Sequence, residues 1–490
     1  MPSSSSPSVQ SPESSGISDS HRRPHPLITI LFALDNTVVA DVQPQIVLQF
    51  ESIQDIAWLA VAFIMSTTAV NLFYGQLYSH LSPKWLYIGS VAVFEAGSPL
   101  CGAAPDMNSL IVGRALCGLG GVGAACVSRK YWDYVGLGTL LGPVVRGAFA
   151  DSDATWRWAF YINFPIGGLA AQVYLFMLPS PDPQPGATIL KRLAEIDWIG
   201  APLMLGAIVC FTMGVSFGGV LYECDSGSDI ALFVVAGVLL IAFGIQQVYC
   251  IGTTKERRIF PVELITSRKS YRTITLMFCV TVTGGCAIFV PVYFVPIFFQ
   301  FMRGDSAIDA AVHLLPLILV MVTVALRQGG MLSYPSGKFW LYMPWFTVGG
   351  IISVVASTLM YFVKTDTSTA WIYGASAMLG TGVGTFTQAG FSTAQASLPA
   401  PKAAVASSPI ALAQTSGVNI ALAVGNAVSL NRAEKRLTTI LPDTVTEDQI
   451  QAAIAGVGTD FVTTLPSRMQ QEVLEAIVEA LNLRICLISW

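Results

Sequence analysis

Asp35 and Arg114 are ionisable residues set inside apolar stretches. Asp35 stands in Leu34-Asp35-Asn36-Thr37-Val38-Val39-Ala40, and Arg114 in Gly113-Arg114-Ala115-Leu116-Cys117-Gly118-Leu119-Gly120-Gly121-Val122-Gly123. A carboxylate within hydrocarbon is costly and normally faces a cavity or a partner. Asp35 could couple protons or position its helix. The plainer reading is a helix-end acid close to water, because Asp41, Gln43 and Gln45 interrupt the same stretch. Arginine keeps its charge and must be compensated, and the glycines behind Arg114 let a neighbouring helix approach closely. Backbone carbonyls alone are the plainer partners for it. His313 is a lone histidine, which suits packing better than proton transfer. No metal-binding histidine cluster, nucleophile elbow or phosphate loop supports a membrane enzyme. Of nine cysteines, Cys224 and Cys486 have polar surroundings and the others lie in or at the ends of apolar runs, with no CxxC pair. They read as small packing residues, so neither a metal site, a disulfide framework nor a cofactor is expected.

Such residues need helices in lipid to hold them. The chain has 490 residues, 53% hydrophobic and 11% charged, whereas a soluble domain carries about 25% charged residues. That composition excludes a large soluble fold and makes the bilayer the solvent. The absence of a basic stripe or tail excludes a nucleic-acid partner. Residues 1–26 are rich in Ser and Pro and read as a disordered cytoplasmic N-terminus, not a signal peptide. Apolar runs of spanning length follow at 27–49, 56–78, 85–104, 108–127, 131–150, 158–178, 197–218, 230–250, 272–300, 308–331, 339–363, 370–397 and 403–430, thirteen in all.

Charge placement supports this series independently. With the N-terminus inside, the cytoplasmic segments hold sixteen Lys or Arg, among them Lys84, Arg129, Lys130, Lys191, Arg192 and the cluster Lys255 to Arg272. The opposite side, up to the last run, holds only Arg157, Arg303 and Lys364, with many acids. Cytoplasmic loops are the ones enriched in Lys and Arg. The domains expected are therefore 27–178 as a first bundle, 197–250 as an extra helix pair, 251–271 as a cytoplasmic loop, 272–430 as an incomplete second bundle and 431–490 as a polar tail ending outside.

In this order the motifs resemble those of fungal fourteen-span drug:proton antiporters of the major facilitator superfamily, from about Leu34 to the tail. The pattern Leu-Asp-x-Thr with a later Pro matches Leu34 to Thr37 and Pro44. The loop Gly75-Gln76-Leu77-Tyr78 through Pro83-Lys84 is similar to a gating loop, although Ser79 stands where the family has Asp, and Lys84 also reads as a positive-inside anchor. In the family the arginine matching Arg114 is implicated in proton transfer, through the pKa of a nearby acid. Gly138-Thr139-Leu140-Leu141-Gly142-Pro143 resembles the antiporter motif, whose bend is associated with export; the alternative is a packing seam of small residues. Trp156-Arg157-Trp158-Ala159-Phe160-Tyr161-Ile162-Asn163-Phe164-Pro165 is characteristic of the fourteen-span group, and Pro291-Val292-Tyr293-Phe294, Arg303-Gly304 and Leu314-Leu315-Pro316 match its ninth-to-tenth span pattern.

The resemblance implies an all-α membrane protein with the major facilitator fold: two helix bundles around a central cavity, an extra helix pair between them, and here the last span missing. It implies proton-coupled efflux of small amphipathic organic molecules, such as drugs, toxins or secondary metabolites, from a monomer in the plasma membrane. A vacuolar membrane is the lesser alternative. Asp35, Arg114 and Lys84 are the coupling and gating candidates, and Gly138, Gly142 and Pro143 the hinge. Phe294, Phe298, Gln388, Gln395 and Gln414 are candidates for the substrate cavity, with packing as the alternative for the phenylalanines. Three departures stand against activity. Only ten residues separate Val127 from Gly138, Arg146 replaces a motif glycine, and no fourteenth span follows. An importer of the same fold and a truncated, non-transporting copy are the alternative readings.

Overall fold

The computed structural model describes residues 31, 34–35, 42, 45–46, 49–50, 55–125, 138, 142, 155–176, 183–184, 186–218, 226–255, 257–260, 262, 271–332, 342–364, 366–396, 403–442, 445, 450 and 466–489. Helices dominate them: α1 Ile56–His80, α2 Pro83–Gly102, α3 Met107–Ala125, α4 Trp158–Tyr161, α5 Asn163–Phe176, α6 Ile189–Ala194, α7 Gly200–Phe217, α8 Gly227–Tyr249, α9 Tyr271–Arg303, α10 Ala307–Val312, α11 Leu315–Leu332, α12 Tyr342–Tyr361, α13 Thr369–Ala396, α14 Ala403–Ile440 and α15 Ser467–Ser489. The described residues of the expected first and fifth spans are helical as well, Gly138 and Gly142 among them. Pro143 and Arg146 lie outside the described residues. Six of these helical stretches are long and apolar enough to cross a bilayer by length and composition.

Helix is dictated by a solvent that offers backbone groups no hydrogen bonds. Side-chain hydroxyls obey the same constraint. Along α1, Ser66, Thr67 and Thr68 donate back to the carbonyls of Ala62, Phe63 and Ile64 at 2.8 Å each. Boundaries carry local signals. Pro83 opens α2, the Ser226 hydroxyl caps α8 by accepting from the Asp229 N–H at 3.2 Å, and Gly304 ends α9 with φ +66°.

Packing builds two large cores and a small one. In the first, α3 lies between α1 and α2, and its glycines make that approach feasible. A Cβ on Gly118 would overlap Ser66 and the Phe63 carbonyl of α1, while one on Gly120 would overlap the Phe94 backbone of α2. Tyr87, Phe94, Cys117 and Phe160 fill this core. The second gathers Phe299, Leu317, Met360, Leu379 and Val383 from α9, α11, α12 and α13. A small third core joins Leu72 of α1, Met204 of α7, Phe243 of α8, Ile259 and Leu412 of α14. The extra pair α7–α8 thus seats where α1 and α14 meet. At one end of that pair Asp197, fully buried, accepts from the Gly200 N–H at 2.8 Å and from the amides of Gln246 and Gln247 at 3.0 and 2.7 Å. Gln247 in turn accepts from the Phe260 N–H at 2.9 Å, and Gln76 of α1 donates to the Arg257 carbonyl. The loop after α8 is tied to both.

The region expected as a polar tail differs from a bare tail. α14 continues to Ile440, and α15 packs against α14, α9 and α12. Val473, Ala476, Ile477 and Ala480 of α15 are buried at helical spacing, while Glu472 and Glu475 stay exposed. One apolar face suffices for docking, whereas a hydropathy count over the whole stretch sees only its polar average.

Candidate functional site

The candidate site lies in the first bundle, where α3 faces Asp35. Arg114 is 1% exposed and Asp35 0%. The Arg114 Nη1 donates to Asp35 Oδ2 at 2.7 Å and to the Asp35 carbonyl at 3.0 Å, and Nε donates to the Leu59 carbonyl at 3.1 Å. Its guanidinium lies over the Phe63 ring, 4.3 Å from the centroid. Such charge-assisted bonds and the ring face compensate a cation that water does not reach. Arg114 therefore takes carbonyls and a carboxylate together, and Asp35 is a buried ion-pair partner, not an acid close to water.

Two more polar residues approach from α5 and α2. Asn163, completely buried, donates from Nδ2 to Asp35 Oδ1 at 3.4 Å and to Ser98 Oγ at 3.1 Å. Ser98 itself donates to the Phe94 carbonyl at 3.2 Å. Glu95, three residues before Ser98 on α2, has both carboxylate oxygens buried with no hydrogen-bond partner among the described residues. A Cβ on Gly167 of α5 would overlap this carboxyl group. Sequence reading passed over Glu95 and the role of Asn163. The signal for Glu95 was an acid inside an apolar run, as for Asp35.

The other candidates are dispersed. Lys84 sits in the first turn of α2, about three turns from Glu95. Ser79, at the position of the missing acid, donates to the Gly75 carbonyl at 3.1 Å. Gly138 and Gly142 are buried. Phe298 belongs to the second core, its ring 5.5 Å from that of Phe299, and Gln414 of α14 is buried. Phe294 lies in α9 and Gln388 and Gln395 in α13, but their side chains fall outside the described residues. His313 is held by packing and hydrogen bonds: its ring stacks on Phe299 at 3.8 Å, Nε2 meets Asp305 Oδ2 at 3.0 Å, and Nδ1 meets the Tyr373 hydroxyl. Among the described residues no group of three or more His, Cys, Asp and Glu side chains is placed to hold a metal ion.

Long apolar helices packed in two bundles are those of a multi-pass membrane protein. The profile of the Major Facilitator Superfamily matches residues 134–422. The chain is 45% identical to the MFS-type transporter pgmG of Aspergillus terreus over 92% of its own length and 82% of that protein's. It is 40% identical to the efflux pump alnA of Emericella nidulans over 93% and 84%. The chain belongs to the Major Facilitator Superfamily. Among solved structures, the peptide-family transporter PepTSo aligns with a TM-score of 0.56 at 13% identity, covering 94% of this chain and 97% of that one. The D-xylose-proton symporter aligns at 0.52 and 12% identity, covering 94% and 95%. At such identities the likeness concerns the fold.

Proposed function

We propose that this protein exports small amphipathic organic molecules, drugs, toxins or secondary metabolites, across the plasma membrane, driven by inward protons. The buried pair Asp35–Arg114 carries this reading. A buried carboxylate beside a fixed positive charge is a costly arrangement for structure alone, and in membrane spans such groups mark ion pathways. The relative alnA, named an efflux pump, favours outward transport. Each proton entering contributes about 2.3 kcal/mol per 100 mV, to which the pH gradient adds. Rocking of the two bundles would expose a central site to each side in turn. The orientation that goes with this has the N-terminus and the loop 251–271 in the cytoplasm.

Directional flux in vesicles tests the proposal. Inside-out plasma-membrane vesicles holding the protein are given an acid interior and rhodamine 6G outside. Dye accumulation that collapses with a protonophore supports proton-driven export. Dye movement indifferent to the proton gradient removes the proton, and accumulation only in right-side-out vesicles with an acid exterior makes the protein an importer.

A further inference from the structure

We propose that Glu95 is the carboxyl that carries the transported proton, while Asp35 remains ionised on Arg114. This rests on the proton-coupled reading and assigns its proton to a residue.

The two acids differ in what they would lose on changing charge. Protonating Asp35 would take the anion from an arginine that is 1% exposed and has its shortest bond, 2.7 Å, to that carboxylate. Stranding one member of a buried pair is strongly destabilising. Asn163 also donates to Asp35 Oδ1, a bond that a change at Asp35 would disturb. Glu95 has the reverse environment. Neither of its buried oxygens accepts a hydrogen bond from the described residues, so none of these compensates an anion there. The neighbouring charge is the Asp35 carboxylate, which repels a second anion. A neutral acid fits the closed site, and an anion fits once water enters.

The helix facing Glu95 is shaped to receive it. A Cβ on Gly167 of α5 would overlap the Glu95 carboxyl, so the glycine leaves the space that the acid fills. Among the described residues, the other titratable and charged groups on the elements packed here are these. α3 contributes Arg114 and Cys117, and Cys101 of α2 lies against Gly113 of α3. α5 contributes Tyr174, whose hydroxyl donates to the Gly167 carbonyl at 3.3 Å. Tyr87 of α2 packs edge-on to Tyr174 at 6.0 Å. α4 brings Tyr161 against Gly102, and Arg157 binds the Gly102 and Ala104 carbonyls at the end of α2. α1 presents Phe63 and the Leu59 carbonyl to the ion pair, and its Tyr74 and Tyr78 stand at Gly123. Among these, Arg114 is the cation beside the acids and is engaged by Asp35. The proton enters on one Glu95 oxygen from the outer medium and leaves from it to the cytoplasm, with no other bond made or broken.

Dicyclohexylcarbodiimide, which reacts with protonated carboxyls in apolar sites, tests this on the full-length wild-type protein in proteoliposomes. Peptide mass spectrometry should find the adduct on Glu95 and not on Asp35, with labelling lost as the medium is made alkaline. An adduct on Asp35 in its place, or none on Glu95, overturns the proposal. Rhodamine 6G flux gives a second arm. Glu95→Gln should lose acid-driven accumulation while downhill equilibration persists and no longer responds to pH. Wild-type accumulation that survives Glu95→Gln overturns the role of Glu95 and leaves proton coupling standing. Wild-type flux that ignores the proton gradient overturns the coupling itself.

Discussion

The Asn419 side-chain amide donates to the Thr68 hydroxyl at 2.8 Å, joining α14 of the second bundle to α1 of the first. Thr68 gives its own proton to the Ile64 carbonyl, so its oxygen is free to accept. Thr68 is 1% exposed and Asn419 9%, so water does not compete. A bond between bundles holds in one arrangement and must break or shift as the bundles rock. Asn419→Val should weaken the arrangement described here by about 0.6 kcal/mol, up to ~1.7, the range for hydrogen bonds between membrane helices. Spin-label distances between the ends of α1 and α14 would report a shift in populations. An unchanged distance distribution would make the bond incidental to rocking.

Arg114→Ala should destabilise the first bundle by about 3–5 kcal/mol, because Asp35 is left as an unpaired buried anion. Pairing it with Asp35→Leu should recover most of that loss, because an apolar pair can replace a buried ion pair at little cost. Thermal melting of detergent-solubilised protein, followed by size-exclusion chromatography, measures both. Recovery of folding without recovery of proton-driven flux would separate the structural part of the pair from its coupling part. Equal stability of single and double variants would contradict the ion-pair account.

Gly120→Leu should prevent α2 and α3 from meeting, since even a Cβ at that position overlaps the Phe94 backbone. Backbone cannot yield as a flexible side chain can, so the expected loss is of folded protein, read as surface abundance. Gly89→Ala is the control: a Cβ there meets nothing within 4 Å, and abundance should hold.

Asp197→Ala should loosen the end of the extra pair where Gln246 and Gln247 meet Gly200. It removes the acceptor for two glutamine amides and the Gly200 N–H, and each buried donor left unsatisfied costs about 1–3 kcal/mol. Protease cleavage within 251–260 should then accelerate. Cleavage at the wild-type rate would show that the loop is held by other contacts.

Much of this was legible in the sequence because lipid makes errors expensive. Asp35 and Arg114 announced themselves as charges inside apolar runs, and Gly118 and Gly120 as small residues on one helix. Their partners did not. Asn163 lies 128 positions from Asp35 in the chain, and Asn419 351 positions from Thr68. Nothing local encodes those meetings. Glu95 carried the same signal as Asp35, but its meaning depends on Gly167 and on Asp35 across two helix interfaces. α15 was hidden for another reason: a span is read from mean hydropathy, and a docking helix from the spacing of Val473, Ala476, Ile477 and Ala480.

That docking predicts where the tail lies. α14 carries Arg432, Lys435 and Arg436 beyond its apolar part, and Glu479 of α15 meets Arg432 at 3.5 Å and Arg436 at 2.8 Å. These charges are about half exposed, and such pairs contribute about 0–1 kcal/mol. Glu479→Gln should therefore change little, whereas Ile477→Asp, which puts a charge into the apolar seam, should detach α15. Counting spans from a cytoplasmic N-terminus places this helix outside. A Glu475→Cys variant should accordingly react with an impermeant maleimide on intact cells, and a Lys255→Cys variant should not. With Ile477→Asp added, a cysteine introduced on the face of α12 that α15 covers should gain reactivity. Labelling at Lys255→Cys, or silence at an exposed Glu475→Cys, would invert the proposed orientation. It would also move the docked helix to the cytoplasmic side.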